Sequence, residues 1–156
     1  MRMNLKKFGV INLLGLILFA ADRILKYFFI KNPALNIGGD FFSLHFEKNY
    51  GLAFGLDFGR SLIVPAVALI LFFLAGFLVS SLKRRDYFSA AAAGLIFIGA
   101  FSNLLDRLQL GYVVDYLDLS YFTVFNLADV LINMGVIGCV IVLWRRPQVD
   151  RQQNLP

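Results

Sequence analysis

Four long apolar segments limit what this chain can fold into more than any other feature of its sequence. Each approaches the ~20 residues that a helix needs to cross a hydrocarbon core of ~30 Å. Apolar residues make up 59% of the 156 residues and charged residues only 16%, whereas soluble domains average roughly 45–50% and 25%. We therefore predict an all-α membrane protein, with residues 1–156 forming one domain and four transmembrane helices over about 8–30, 61–82, 87–105 and 125–144.

The lysines and arginines gather at the ends of these segments and set the predicted orientation. Nine lie before the first helix, between the second and third, or after the fourth: Arg2, Lys6, Lys7, Lys83, Arg84, Arg85, Arg145, Arg146 and Arg151. The opposite connections carry four: Lys31, Lys48, Arg60 and Arg107. Because positively charged loops stay inside, both termini should be cytoplasmic. Topology accounts for the net charge of +5, so we expect no nucleic-acid partner.

The N-terminal segment also has features of a cleaved signal peptide, since basic residues precede an apolar stretch and Ala20-Ala21. The apolar segment resumes beyond Lys26, however, and its total length exceeds that of the apolar core of a signal peptide. We therefore expect the first segment to be retained as a transmembrane helix.

The two outer connections carry patterns typical of β-structure. Residues Phe42 to Glu47 alternate between apolar and polar side chains, which indicates a half-buried strand, and Asn49-Tyr50-Gly51 indicates a turn. The connection from Tyr112 to Val124 is rich in Val, Tyr, Phe and Thr and is also predicted to be extended. We expect a small extracytoplasmic β-sheet that forms a cradle on the outer membrane surface.

Inserting an ionisable residue into a membrane span costs at least ~2.5–3.5 kcal/mol, so each such residue indicates a structural or functional role. Asp22 and Lys26 stand four residues apart in the first helix, where they can form an ion pair. The pattern Asn-Leu-x-Asp occurs at the end of the third helix and at the start of the fourth, as Asn103 to Asp106 and Asn126 to Asp129. With the termini inside, all these groups gather in the outer half of the membrane, and the inner halves carry none.

Three hypotheses account for such convergent carboxylates. Two carboxylates that share a proton can act as base and acid and so activate water for hydrolysis of an amide. They can also form a proton relay or cation site in a transporter, or they can cap helix ends. The repeated Asn-Leu-x-Asp pattern by itself pairs Asp106 with Asp129. His45 is expected to be a surface residue and Cys139 a packing residue, and no zinc motif is present.

The motifs together resemble the lipoprotein signal peptidase family, also called signal peptidase II. The resemblance covers nearly the whole chain in order, over Asp22-x-x-x-Lys26, Asn49-x-Gly51-x-Ala53-Phe54, Asn103-x-x-Asp106-Arg107, Gly111-x-Val113-Val114-Asp115 and Phe125-Asn126-x-Ala128-Asp129. Each motif alone is weak, whereas their shared order among four spans is specific. The resemblance implies an aspartyl endopeptidase of the bacterial inner membrane that removes signal peptides from prolipoproteins, just before a diacylglyceryl-modified cysteine.

The resemblance also assigns roles to residues. It implies that Asp115 and Asp129 are the catalytic dyad, in place of the Asp106–Asp129 pair that the repeated pattern suggests. The implied substrate-binding or supporting residues are Asp22, Lys26, Asn49, Gly51, Asn103, Asp106, Arg107 and Asn126. No cofactor or metal is implied. The implied partners are lipid-modified prolipoproteins and membrane lipids, and we expect a monomer whose active site lies near the extracytoplasmic face.

Overall fold

The chain forms four long helices and one small sheet. The computed structural model describes residues 3–51, 60–119 and 123–144. Its elements in chain order are α1 (Leu5–Lys31), β1 (Asn36–Gly38), β2 (Phe42–Asn49), α2 (Arg60–Lys83), α3 (Tyr87–Gln109), β3 (Val113–Leu119), β4 (Val124–Phe125) and α4 (Leu127–Trp144). All four helices are long and apolar enough to span a bilayer. The predicted membrane fold with a small sheet is confirmed.

Two predicted helix boundaries differ from the structure at the end where the sheet lies. Helix α3 continues to Gln109 rather than ending near Leu105, because partners in neighbouring elements satisfy the charged side chains of its last turns. Helix α4 begins at Leu127, since Phe125 belongs to strand β4 and pairs with Leu117. Each of the four helices is continuous over its described range, whereas a transporter would be expected to show broken helices.

Helix α3 occupies the centre of the bundle and contacts each of the other three helices. Its apolar window is 61% buried, whereas those of α1, α2 and α4 are 11 to 17% buried and expose their large apolar side chains. Small residues allow this central packing, because a Cβ added at Gly135 of α4 would lie 2.6 Å from the carbonyl oxygen of Ala92. Close approach through small residues is typical of helix pairs in membranes.

The four-stranded sheet is antiparallel throughout, in the order β1-β2-β3-β4. A register shift between Leu44 and Glu47 leaves Glu47 opposite Asp115 and Asn49 opposite Val113. Asn49 and Asp115 are therefore diagonal neighbours on the same face of the sheet. The predicted strands at 42–47 and within 112–124 are confirmed, whereas β1 lacks a clear sequence pattern and was not predicted.

Strand β3 is fixed against the bundle through its opposite face. The ring of Tyr116 stacks on Phe29 of α1 with centroids 5.5 Å apart, and Val114 is fully buried beside them. Gly111 connects α3 to β3 with a φ of 87°, a left-handed conformation that favours glycine. This turn sends the chain back beside the helix end, so that Asp115, on the other face of β3, lies beside Asn126 at the start of α4.

Candidate active site

Asp115 lies in the middle of β3 with its carboxylate held by two asparagine side chains. Asn49 Nδ2 donates to Oδ2 at 2.9 Å, and Asn126 Nδ2 donates to Oδ1 at 2.6 Å. Burial raises the pKa of Asp115 to about 6, and the negative charge of Asp129 adds to the rise, whereas the two amide donors and the Lys26 charge oppose it. Asp115 therefore changes protonation close to neutral pH.

Asp129 lies in the first turn of α4 and also contacts amide groups. Asn103 Nδ2 donates to its Oδ1 at 2.8 Å, and the backbone N–H of Asn126 donates to its Oδ2 at 3.2 Å. In return, Asn126 Oδ1 accepts from the backbone N–H of Asp129 at 3.0 Å. This reciprocal pair is a capping box, so the hypothesis that Asp129 helps to cap a helix end is confirmed.

Asn126 connects the two carboxylates directly. Its side-chain amide contacts Asp115, and its backbone N–H contacts Asp129. The residue is fully buried, and its Nδ2 lies 3.3 Å from both the carbonyl oxygen of Val114 and Asn103 Oδ1. Because one residue contacts both acids, the geometry of the pair is fixed by the start of α4 rather than by a flexible loop.

Asp106 does not contact Asp129 but belongs to a separate group of charged side chains. Its Oδ1 lies 2.5 Å from Arg23 Nη1 and its Oδ2 lies 2.7 Å from Lys26 Nζ. Lys26 Nζ also lies 3.2 Å from Asp22 Oδ2, so the predicted i,i+4 ion pair is confirmed. Two acids and two bases thus neutralise one another, and three of the four have fully buried side chains.

This ion-pair group connects the helices to the sheet. Asp22 accepts from the hydroxyls of Tyr116 at 2.9 Å and Ser102 at 2.7 Å, and Asp106 accepts from the backbone N–H of Val114 at 3.2 Å. Burial raises the pKa of Tyr116, so its hydroxyl stays a donor. Arg23, Ser102 and Tyr116 were not predicted to belong to the site. The position of Arg23 directly after Asp22, inside a span, is the signal that indicates it.

Asn103 joins the ion-pair group to the dyad. Lys26 Nζ donates to Asn103 Oδ1 at 2.9 Å, which leaves Nδ2 of the same amide facing Asp129. One helical turn later, Arg107 Nη2 donates to the carbonyl oxygen of Gly51 at 2.8 Å. Gly51 itself donates its N–H to Asn49 Oδ1 at 3.0 Å, which confirms the predicted turn. Ala53 and Phe54 lie outside the described residues.

A cavity of about 850 Å³ opens beside the two carboxylates. The predicted site residues that line it are Asn49, Gly51, Asn103, Arg107, Asp115 and Asp129, whereas Asp22, Lys26, Asp106 and Asn126 lie behind its wall. Its other lining residues are largely apolar and come from α2, α3, α4 and the sheet. The arrangement can therefore hold an apolar peptide against a pair of carboxylates.

Comparison with known proteins agrees with this geometry, because residues 14–145 match the family described as signal peptidase (SPase) II. The chain belongs to the signal peptidase II family. It is 36% identical to the lipoprotein signal peptidase of Moorella thermoacetica over 137 residues. The aligned region covers 85% of this chain and 89% of the relative. The lipoprotein signal peptidase of Desulfitobacterium hafniense is 40% identical over 134 residues, or 81% of this chain and 87% of the relative.

A solved structure supports the same relationship. A bacterial membrane enzyme determined by the in meso method at 2.3 Å superposes with a TM-score of 0.79 and 25% sequence identity, covering 95% of each chain. Membership of the signal peptidase II family makes this chain a protease of the aspartic type and a multi-pass membrane protein. The resemblance drawn from the motifs is thereby confirmed. The assignment of Asp115 and Asp129 as catalytic residues stays a prediction.

His45 and Cys139 lie away from the dyad. His45 Nδ1 lies 3.2 Å from Ser43 Oγ and 3.8 Å from Asp118 Oδ2 on the sheet, and His45 is half-buried. Both neighbours contact the same ring nitrogen, whereas a serine–histidine–aspartate triad uses one nitrogen for each. Cys139 lies ten residues after Asp129 in α4 and forms no disulfide in the described part of the chain. Neither residue lines the cavity.

Proposed function

We propose that this protein is a membrane-embedded aspartyl endopeptidase that removes the signal peptide from diacylglyceryl-modified bacterial prolipoproteins. The cut falls just before the lipidated cysteine. The observation that carries the proposal is the pair Asp115 and Asp129, which share contacts with Asn126 and line the same cavity in a chain of the signal peptidase II family.

The two carboxylates act by sharing one proton. The ionised member accepts a proton from water, and the water oxygen attacks the carbonyl carbon of the residue before the cysteine. The protonated member then donates its proton to the leaving nitrogen as the C–N bond breaks. The raised pKa of Asp115, about 6, supports such sharing near neutral pH. The products are a signal peptide with a free carboxyl group and a lipoprotein with a free amino group.

The polar neighbours of the dyad prepare it for this reaction. Asn49, Asn103 and Asn126 hold the carboxylate oxygens by amide donors, which stabilise charge without supplying protons. Arg107 Nε is buried and has no hydrogen-bond partner within residues 3–51, 60–119 and 123–144. Arg107 also lines the cavity, which supports a role for its guanidinium group in binding a substrate carbonyl. Gly51 supports the same wall through its bond to the guanidinium.

The position of the cavity suits a substrate that enters from the membrane. An apolar signal peptide reaches the cavity through the bilayer, and the lipid on the cysteine holds the cleaved bond at the interface, which lowers the entropic cost of positioning it. Lys6, Lys7 and the Lys83–Arg85 connection lie at the bundle end opposite the sheet. We propose that this end faces the cytoplasm and that the dyad lies near the extracytoplasmic face.

A single chain carries the whole proposed site. The contacts described for the dyad and for the ion-pair group come from α1, α3, α4, β2 and β3, and from Asn126 directly before α4. We propose that the protein acts as a monomer in the bacterial inner membrane. A monomer is tested by the mass of the detergent-solubilised protein, measured by light scattering during size-exclusion chromatography.

The proposed reaction is tested with purified protein and a lipid-modified prolipoprotein in detergent. Asp115→Asn and Asp129→Asn keep shape and hydrogen bonding but remove the shared proton, so each should abolish release of the signal peptide. Because the coupled carboxylates act as one unit, the double variant should be scarcely worse than either single variant. Release is followed by the mobility shift of the lipoprotein on a gel.

Asp106→Asn provides the matched comparison. Asp106 is paired with Arg23 and Lys26 and lies behind the cavity wall, so this variant should retain turnover or fail through loss of thermal stability. Monodisperse elution and a melting curve establish that each variant is folded. Full activity of Asp115→Asn, with none in folded Asp106→Asn, would show that the repeated Asn-Leu-x-Asp pattern identifies the dyad instead.

A further inference from the structure

One amide group lies in the cavity below the dyad without a hydrogen-bond partner in the described part of the chain. Asn133 lies four residues after Asp129 in α4, and both line the cavity. Around it the cavity wall is apolar, with Val67 from α2, Ala100 from α3 and Ile132 from α4. The Asn133 side chain is exposed within this surface rather than packed into the bundle.

An unpaired amide at this place needs an explanation. A side-chain amide has two donors and one acceptor, and an apolar setting that offers them no hydrogen bond is unfavourable. The neighbouring positions in α4 carry apolar side chains such as Ile132 and Met134. An apolar residue would suit a plain membrane helix better at this position. Asn133 therefore indicates a polar partner that enters the cavity.

The signal peptide supplies such a partner through its main chain. A peptide bond must be extended to be cleaved, and the helix of an apolar signal peptide then ends before the cut with carbonyl groups unpaired. In hydrocarbon those carbonyls have no water to bind. A donor that projects into the cavity on the membrane side of the dyad would satisfy one of them.

The spacing along α4 indicates which carbonyl this is. Asp129 and Asn133 are one turn apart on the same helix face, and four residues at ~1.5 Å rise place Asn133 ~6 Å deeper than the dyad. An extended chain advances ~3.3 Å per residue, so this depth corresponds to about two residues of substrate. The peptide before the cut continues toward the membrane interior, in the direction of Asn133.

We propose that Asn133 is a main-chain binding residue for the signal peptide, with its Nδ2 donating to the carbonyl of the third residue before the cleaved bond, two residues beyond the carbonyl that water attacks. The proposal rests on the proposed signal-peptide cleavage at the Asp115–Asp129 dyad. This subsite contacts the main chain of the substrate and none of its side chains, so it tolerates varied signal peptides. The contact also fixes the register of the extended segment at the dyad.

The first test replaces the amide by an apolar side chain of similar size. Asn133→Leu should lower kcat/KM for a lipidated prolipoprotein peptide by about 3- to 10-fold, the range of one neutral hydrogen bond. Its melting temperature should stay equal or rise, because the free protein loses an unpaired amide. Met134→Leu is the matched control, since Met134 is adjacent in α4, does not line the cavity and is 52% exposed; its kcat/KM should equal that of the wild type.

The second test changes the substrate instead of the protein. An ester in place of the amide bond that follows the third residue before the cut weakens that carbonyl as an acceptor. The wild type should process this peptide about 3- to 10-fold less well than the all-amide peptide, whereas Asn133→Leu should process the two about equally. An ester four residues before the cut should affect the wild-type protein and the variant alike.

Two outcomes would overturn the subsite. One is an unchanged kcat/KM in folded Asn133→Leu, and the other is an ester effect of the same size in the wild type and the variant. If the variant does not fold, an unaltered rate of the wild type on the ester peptide overturns it equally. Failure of the wild type to cleave the lipidated all-amide peptide would instead refute the proposed function.

Discussion

Replacing Asn49 by serine should move the acidic limb of the pH–activity profile to higher pH. Asn49 Nδ2 donates to Asp115 Oδ2 at 2.9 Å, and this bond opposes the burial that raises the pKa of Asp115 to about 6. A hydrogen bond to a charged group stabilises by about 1.5–3 kcal/mol, and one pKa unit corresponds to about 1.4 kcal/mol. Water at the cavity wall replaces part of the lost hydrogen bond, so we expect the pKa of Asp115 to rise by about one in the Asn49→Ser variant.

The sign of the shift follows from which form the amide stabilises. Asn49 donates to the ionised carboxylate, so without it Asp115 stays protonated to a higher pH. The form of the dyad with a single shared proton then becomes populated at a pH about one unit higher. Activity near pH 6 should fall several-fold, whereas activity near pH 8 should be nearly retained. The assay is kcat/KM for a lipidated peptide, measured between pH 5 and pH 9 in detergent.

Serine is the suitable replacement because Asn49 has a second role. Its Oδ1 accepts the backbone N–H of Gly51 at 3.0 Å, and a serine hydroxyl can accept the same turn bond, although more weakly. The serine side chain is too short to reach Asp115. The turn that holds Gly51 against Arg107 is therefore kept while the bond to the dyad is lost.

Asp118→Asn is the control for a general change of charge on the sheet. Asp118 lies three residues after Asp115 in β3, is half-buried, and contacts Ser43 and His45 rather than the dyad. Removing the charge of Asp118 should leave the acidic limb of the pH–activity profile at the wild-type pH. The reasoning is refuted if folded Asn49→Ser keeps the wild-type limb, or if Asp118→Asn moves the limb by the same amount.

Three further predictions concern the bundle. A reporter fused after Asn154 should be active only when it is of the cytoplasmic type, and activity of a periplasmic reporter there would refute the proposed orientation. Cys139→Ala should retain nearly full turnover, because the thiol does not line the cavity; loss of turnover in a folded variant would revive a thiol mechanism. Gly135→Ala should destabilise the protein by about 1–3 kcal/mol through overpacking, since the added Cβ would lie 2.6 Å from the Ala92 carbonyl oxygen. Gly76→Ala is the control, because a Cβ added there meets nothing within 4 Å. Equal melting temperatures of the two variants would contradict this packing.

Hydropathy and alternation predicted the architecture because each reflects a local physical requirement. A helix that spans a bilayer needs a long apolar run, and alternation is typical of a half-buried strand, as in the sequence from Phe42 to Glu47. The short strands β1 and β4 were missed, since three and two residues are too few to show a period. The start of α4 was placed two residues early because Phe125 is as apolar as the helix that follows it.

The residues of the site could be predicted from their local pattern, but the pattern did not show which carboxylate lies beside Asp129. Asn103 to Asp106 and Asn126 to Asp129 have the same local pattern, and a pattern along one helix does not state what faces it from another element. In the structure Asp106 faces α1, where Arg23 and Lys26 bind it, whereas Asp115 returns from β3 to the side of Asn126. The local pattern by itself does not distinguish these two carboxylates. The resemblance to the family supplied that information before the structure did.

Four carboxylates lie in this part of the bundle, and they differ in the type of partner that they contact. Asp22 and Asp106 each lie within 4 Å of a lysine or arginine side chain. Within the described residues no ion pair is formed by Asp115 or Asp129, whose oxygens accept from the amides of three asparagines instead. A cation at that distance would hold both acids ionised and prevent them from sharing a proton. Amide donors orient the carboxylates while leaving one proton free to move, which is what hydrolysis by an aspartate pair requires.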